Sequence, residues 1–125
     1  MRKIASEYIY TPEKWLSNHV LELTPEGQIR VLRPLEENES VEVLPGYLFP
    51  GFINAHCHLE LSHLQGYIDE GLGMGRFVEQ VVIQRPQFTE AQQNVGIEQA
   101  IQHAWDSGTQ AIGDIANQHL TAPHK

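Results

Sequence analysis

The chain has 125 residues, 41% of them hydrophobic, with sixteen acidic against eight basic side chains and a formal charge of −8. Such a length suits one ordinary domain that buries roughly two thirds of its unfolded surface, and the acidic balance argues against nucleic acid or an anionic membrane as partner. No apolar run approaches the ~20 residues that span a bilayer. Arg2 and Lys3 are followed too soon by Ser6 and Glu7 for a signal peptide, and the lone Cys57 allows no internal disulfide, so the cytoplasm is the expected setting.

Residues 1–48 read as short β-strands. The stretch 3–10 mixes β-formers with polar residues and is broken by Thr11-Pro12-Glu13. From 15 to 23 the apolar pattern alternates in part, Thr24-Pro25-Glu26-Gly27 supplies a turn, and 28–32 returns with Ile29 and Val31 on one face, which predicts a hairpin. Pro34 and the acidic run Glu36, Glu37 and Glu39 are expected to form a solvated loop rather than a cation site. Val41 and Val43 then open another strand that ends before Pro45-Gly46. These strands are too few to close a sandwich by themselves.

The chemistry-bearing stretch is Pro50-Gly51-Phe52-Ile53-Asn54-Ala55-His56-Cys57-His58-Leu59-Glu60. In a strand over 52–58 successive side chains alternate faces, so His56, His58 and Glu60 point the same way. Imidazoles two residues apart sit roughly 7 Å apart at Cα, a spacing from which two nitrogens can reach one ion at about 2.0–2.1 Å. A two-histidine pair is also compatible with a plain core strand. The apolar run predicts a strand covered on both faces, as in a parallel sheet. Cys57 would face away from the histidines and serve as a small core residue.

Beyond the histidines, His63 either lines the mouth of a site or lies on the surface. Gly71, Gly73 and Gly75 are expected to form a flexible lid. They lack the later glycine and the Lys-Ser/Thr of phosphate loops, and Asp69 and Glu70 would repel an anion. Residues 76–84 carry Phe77, Val78, Val81 and Val82 at helical spacing before Pro86. A longer helix is predicted over 90–107, with Thr89 as N-cap, Gln92 completing a capping box and Gly108 at the C-terminus. Its apolar stripe is Ile97, Ala100, Ile101, Ala104 and Trp105, which leaves His103 on the surface. Residues 109–116 follow as a strand, with Asp114 near its end either touching a site or, more commonly for such a residue, in a structural hydrogen bond. The chain then closes on Thr121-Ala122-Pro123-His124-Lys125.

The run from Pro50 to His58 resembles the first barrel strand of the amidohydrolase superfamily, with its Pro-Gly, two hydrophobic residues, Asn, and His-x-His. The longer His56-Cys57-His58-Leu59-Glu60-Leu61-Ser62-His63-Leu64-Gln65-Gly66 is similar to the chlorohydrolase, cytosine-deaminase-like and aminodeoxyfutalosine-deaminase branch. Ser107-Gly108-Thr109-Gln110-Ala111-Ile112-Gly113-Asp114-Ile115 resembles that family's second barrel strand.

The resemblance implies an α/β fold in two parts: residues 1–48 as strands of a small β-sandwich, and 49–125 as the start of a (β/α)8 metal-dependent hydrolase barrel, with strands 1 and 2 and the helices between them. It implies that His56 and His58 are metal ligands, joined by histidines from strands five and six and an aspartate from strand eight. Glu60 and Ser62 would bind substrate. The ion would be divalent, zinc or alternatively iron, and the substrate a small heterocycle losing an amine or chloride to a metal-activated water. On this reading the chain is the N-terminal part of a C–N or C–Cl hydrolase, holds no catalytic acid or base of its own, is inactive alone and forms a homo-oligomer.

Two other classes compete. A cupin-type β-barrel also uses His-x-His, but it wants an acidic residue four or five positions after the second histidine, where Ser62 and His63 stand. A non-catalytic self-associating module would cover its strand edges and helix stripe with further copies of itself.

Overall fold

The computed structural model describes residues 2–117, and the chain divides between Pro50 and Gly51 into two compact units. His124 and the closing 121–125 stretch lie outside the described residues.

The first unit is organised around β1 (Arg2–Tyr10), whose Ile4, Ala5 and Ile9 are buried. β1 pairs antiparallel with β2 (Trp15–Leu16) and with β3 (His19–Leu23), and parallel with β5 (Glu42–Leu48). β3 and β4 (Ile29–Pro34) form the expected hairpin, its turn closed by the Gly27 N–H on the Thr24 carbonyl at 3.0 Å. Gly27 sits there at φ 83°, a conformation glycine adopts without steric cost. The 15–23 stretch is two strands rather than one, because Asn18 takes a positive φ of 53° between them.

Two expectations are corrected here. Pro45-Gly46 does not end the fifth strand. It forms a bulge within β5, where Ser6 faces Leu44 but Tyr8 faces Tyr47, and the Ser6 hydroxyl donates to the Gly46 carbonyl at 2.6 Å. Proline tolerates a bulge because no ladder N–H is needed from it. The acidic loop is not wholly solvated either. Glu39 turns inward, accepting from Lys3 Nζ at 2.6 Å and from the Arg33 guanidinium, which also holds the buried Glu22 at 2.6 Å. Hydrogen bonds from Arg33 and then Lys3 outweigh burial and hold the Glu39 carboxyl far below the usual carboxylate range.

In the second unit β6 (Phe52–Cys57) and β7 (Thr109–Asp114) pair in parallel, as a strand–helix–strand connection requires. Between them run a 3-10 helix Leu59–Leu64, helix α1 (Gly73–Gln84), a short 3-10 turn Arg85–Gln87 and helix α2 (Glu90–Asp106). The predicted capping box is present: Thr89 accepts from the Gln92 N–H at 3.3 Å, and Gln92 accepts from the Thr89 N–H at 2.9 Å. Gly108 follows α2 at φ 84°. α2 packs on the 3-10 helix and on β7, and Leu59, Leu64 and Ile97 form the buried apolar centre.

Three local expectations differ. Apart from Cys57, β6 is exposed rather than covered on both faces. Gly73 begins α1 and Gly75 lies within it, so of the three glycines only Gly71 stands in the loop before the helix. Of the α2 stripe only Ile97 is fully enclosed, while Trp105 is 65% exposed. Among the described residues no helix is long and apolar enough to cross a membrane.

Two measurements test this packing. Glu39 is ionised at neutral pH and its folded-state affinity for a proton is depressed, so its contribution is complete above about pH 4.3, the unfolded value, and declines below it. Glu39→Gln is expected to lower the melting temperature at neutral pH and to narrow the gap to wild type in acid, as followed by circular dichroism. A methyl group at Gly96 would come within 2.7 Å of the His63 backbone. Gly96→Ala should therefore destabilise by about 1–3 kcal/mol through overpacking, despite alanine's helix advantage of roughly 1 kcal/mol, as read from urea midpoints.

Candidate metal centre

His56 lies within β6 and His58 immediately follows its end. The regular ladder is interrupted there: the β6–β7 register shifts between Asn54 and Cys57, and Asn54 Oδ1 accepts from the His56 backbone N–H at 3.2 Å. Both imidazoles are exposed, with ring centroids 5.1 Å apart and planes at 81°. His58 Nδ1 lies 2.8 Å from the Ile115 carbonyl just past β7. A carbonyl oxygen only accepts, so Nδ1 carries the proton in the neutral ring and Nε2 keeps its lone pair for a ligand.

The two imidazoles fit a divalent ion as part of a donor set. Zinc takes three or four protein ligands, and among the described residues no group of three or more His, Cys, Asp or Glu is gathered to hold an ion. Cys57, between the two histidines, is half-buried. Burial first, and then the charge of Asp114, push its thiol up, so it remains protonated at neutral pH and is a poor ligand or nucleophile.

Glu60 and Ser62 are placed differently from each other. The chain turns into the 3-10 helix at Leu59, which carries Glu60 inward to 1% exposure. Its oxygens accept from Asn117 N–H at 3.1 Å, Asn117 Nδ2 at 3.0 Å and Arg85 Nη2 at 3.1 Å. Burial alone would raise its carboxyl, but the Asn117 hydrogen bonds and the Arg85 charge outweigh it and hold it below the ordinary value. Ser62 is half-buried and lines an open cleft of about 570 Å³ with Leu61, Leu64, Phe77, Val81 and Ala100. Neither His56 nor His58 lines that cleft.

Asp114 makes the structural bond expected of it, accepting from the Leu59 N–H at 2.9 Å. Of the two places expected for His63, the surface is excluded: it lines an open cleft with Ser62, Gln65, Tyr67 and Phe88. It is 8% exposed, its ring edge-on to Phe88 with centroids 5.0 Å apart. Among the described residues neither ring nitrogen has a hydrogen-bond partner. Burial first and the Arg85 charge second lower its proton affinity; the Glu60 carbonyl opposes this weakly without reaching bonding geometry. Arg85, Ile115 and Asn117 were not legible as site residues, since nothing in their local sequence marks them.

No protein-family model and no curated protein matches the chain. Among solved structures it is similar to a crystal structure of an adenosine deaminase from Xanthomonas campestris with bound zinc, with a TM-score of 0.68 at 18% identity. The likeness covers 98% of this chain and 31% of that one, so the chain spans about a third of that protein's length. At this identity the likeness is one of fold: a mixed α/β arrangement shared with part of a zinc-containing deaminase.

The buried His63 has a consequence for stability. Its folded-state pKa is depressed, so its contribution is complete above about pH 6.5, the unfolded value, and is lost as pH falls below it, by at most about 1.4 kcal/mol per pH unit. His63→Phe is expected to flatten the difference between urea midpoints at pH 7.5 and pH 5.5 while leaving neutral-pH stability unreduced. An unchanged difference would mean that other groups carry the acid sensitivity.

Proposed function

We propose that this chain carries the first part of a metal-dependent, deaminase-like hydrolase of the amidohydrolase superfamily, acting on a C–N or C–Cl bond of a small heterocycle. The observation that carries the reading is the histidine pair at the carboxyl end of a strand in a parallel β–α–β unit, where α/β enzymes assemble their chemistry. The fold likeness to part of a zinc-containing deaminase supports it, and the His56-Cys57-His58-Leu59-Glu60-Leu61-Ser62 run favours the chlorohydrolase, cytosine-deaminase-like and aminodeoxyfutalosine-deaminase branch.

His56 and His58 would hold the ion, zinc in preference to iron, through ring nitrogens. Such an ion supplies Lewis acidity and a nucleophile from water at neutral pH. His58 is already turned for this by the Ile115 carbonyl, and Asn54 fixes the backbone from which His56 projects. Ser62 is assigned a contact with substrate and Glu60 a supporting place beside it. The remaining ligands and the proton-transfer groups belong to further barrel strands, so this chain alone is inactive, and its setting is cytoplasmic. Exposed Phe52, Ile53, Val78, Val82, Ile83 and Trp105 favour self-association of the isolated chain, and a non-catalytic self-associating module is the second reading.

The test is a zinc titration of tag-free, 15N-labelled protein, with the imidazole nitrogens followed by NMR and the molecular mass by sedimentation. Zinc is expected to shift His56 and His58 together, leave His63 and His103 unmoved, and do nothing to those positions in the His56→Ala/His58→Ala variant. Shifts confined to other histidines, or none at millimolar zinc, would overturn the metal-site reading, and a self-associated chain without them would favour the second.

A further inference from the structure

Among the described residues of the second unit the carboxylate of Glu60 is the most enclosed charged group, and it holds the segment that holds His58. Three consecutive residues after β6 each bond to a different residue at or beyond the end of β7. His58 Nδ1 donates to the Ile115 carbonyl at 2.8 Å, the Leu59 N–H to Asp114 Oδ1 at 2.9 Å, and Glu60 receives the Asn117 N–H and Nδ2 at 3.1 and 3.0 Å. In return the Ile115 N–H donates to the Cys57 carbonyl at 2.8 Å. Regular strand pairing has stopped at Asp114, so the Ile115 carbonyl is placed by the bond of its own N–H to Cys57, by Asp114 before it and, on its far side, by the grip of Glu60 on Asn117. Arg85 Nη2, 3.1 Å from Glu60 Oε2, balances the buried charge.

We propose that Glu60 is a positioning residue for the metal ligand His58: by gripping both the backbone and the side chain of Asn117, it sets the Ile115 carbonyl that selects the Nδ1–H tautomer and presents Nε2 to the ion. The metal half of this rests on the function proposed above; the tautomer half does not. A carboxylate is required because all of its bonds here are received. The amide of a glutamine would direct N–H donors at Asn117 or Arg85, which are donors themselves.

The experiment compares wild type, Glu60→Gln and Asn117→Ala in the full 125-residue chain. Long-range 15N–1H spectra at about pH 8, where imidazoles are neutral, report the tautomer of each histidine, and circular dichroism reports folding. Wild type is expected to show His58 as the Nδ1–H form. Both variants should move His58 toward a mixture with the Nε2–H form, leave His56 and His63 unchanged, and weaken zinc binding by roughly tenfold or more, the usual effect of losing a partner that orients a ligand.

A purely structural Glu60 would lower the melting temperature and leave the His58 tautomer where it was. That result in folded variants overturns the proposal. If Glu60→Gln does not fold, Asn117→Ala decides, since Asn117 is exposed and its truncation leaves the apolar centre intact. A tautomer change in the variants, with no zinc effect on His56 or His58 in wild type, would keep the positioning role and overturn the metal reading instead.

Discussion

The second unit depends on the join between the ends of β6 and β7. Parallel strands bring their carboxyl ends to the same side, and here the pairing continues past both strands as bonds between side chains and backbone. His58, Leu59 and Glu60 meet Ile115, Asp114 and Asn117 across more than fifty residues of intervening chain. A single such bond contributes only about 1 kcal/mol net. Leaving the buried Glu60 charge without its partners would cost several. The orientation of a candidate metal ligand is thereby tied to the pairing of the two strands.

Both units solve the same electrostatic problem in the same way. In the first, Glu22 and Glu39 turn inward onto Arg33 and Lys3; in the second, Glu60 turns inward onto Arg85. Only eight basic side chains serve sixteen acidic ones, and several of them are committed to these pairs. The buried pairs fix which loops lie against which strands. Glu39 anchors the acidic loop beside β1 and β4, and Glu60 anchors the segment after β7. Among the described residues His63 has no comparable partner. It is kept neutral by its surroundings and packs as an aromatic ring against Phe88, with Gly96 allowing α2 to come close enough to cover it.

Much of the local structure was legible in the sequence because its causes are local. Thr89 and Gln92 form their capping box within one turn, Gly108 ends α2 with a positive φ, and the hairpin of β3 and β4 follows from its turn residues. The nearness of the His56 and His58 rings follows from their spacing along the chain. The misread positions have causes elsewhere in the chain. Pro45-Gly46 looks like a strand end until Ser6 is opposite it, Glu39 looks solvated until Arg33 and Lys3 are beside it, and β6 looks like a covered strand until its described neighbours are counted.

By itself, then, the sequence determined the alternation of strands and helices, the caps and turns, and the pair of imidazoles two residues apart, since each depends on residues within a turn or two of one another. Only the tertiary structure decided which of those residues became partners. The burial of Glu60 and His63, the tautomer of His58 and the parts played by Ile115, Asn117 and Arg85 arise from contacts between segments far apart in the chain. Local patterning does not encode such contacts, because a carboxylate or an imidazole reads the same in sequence whether a guanidinium, a carbonyl or water meets it in space.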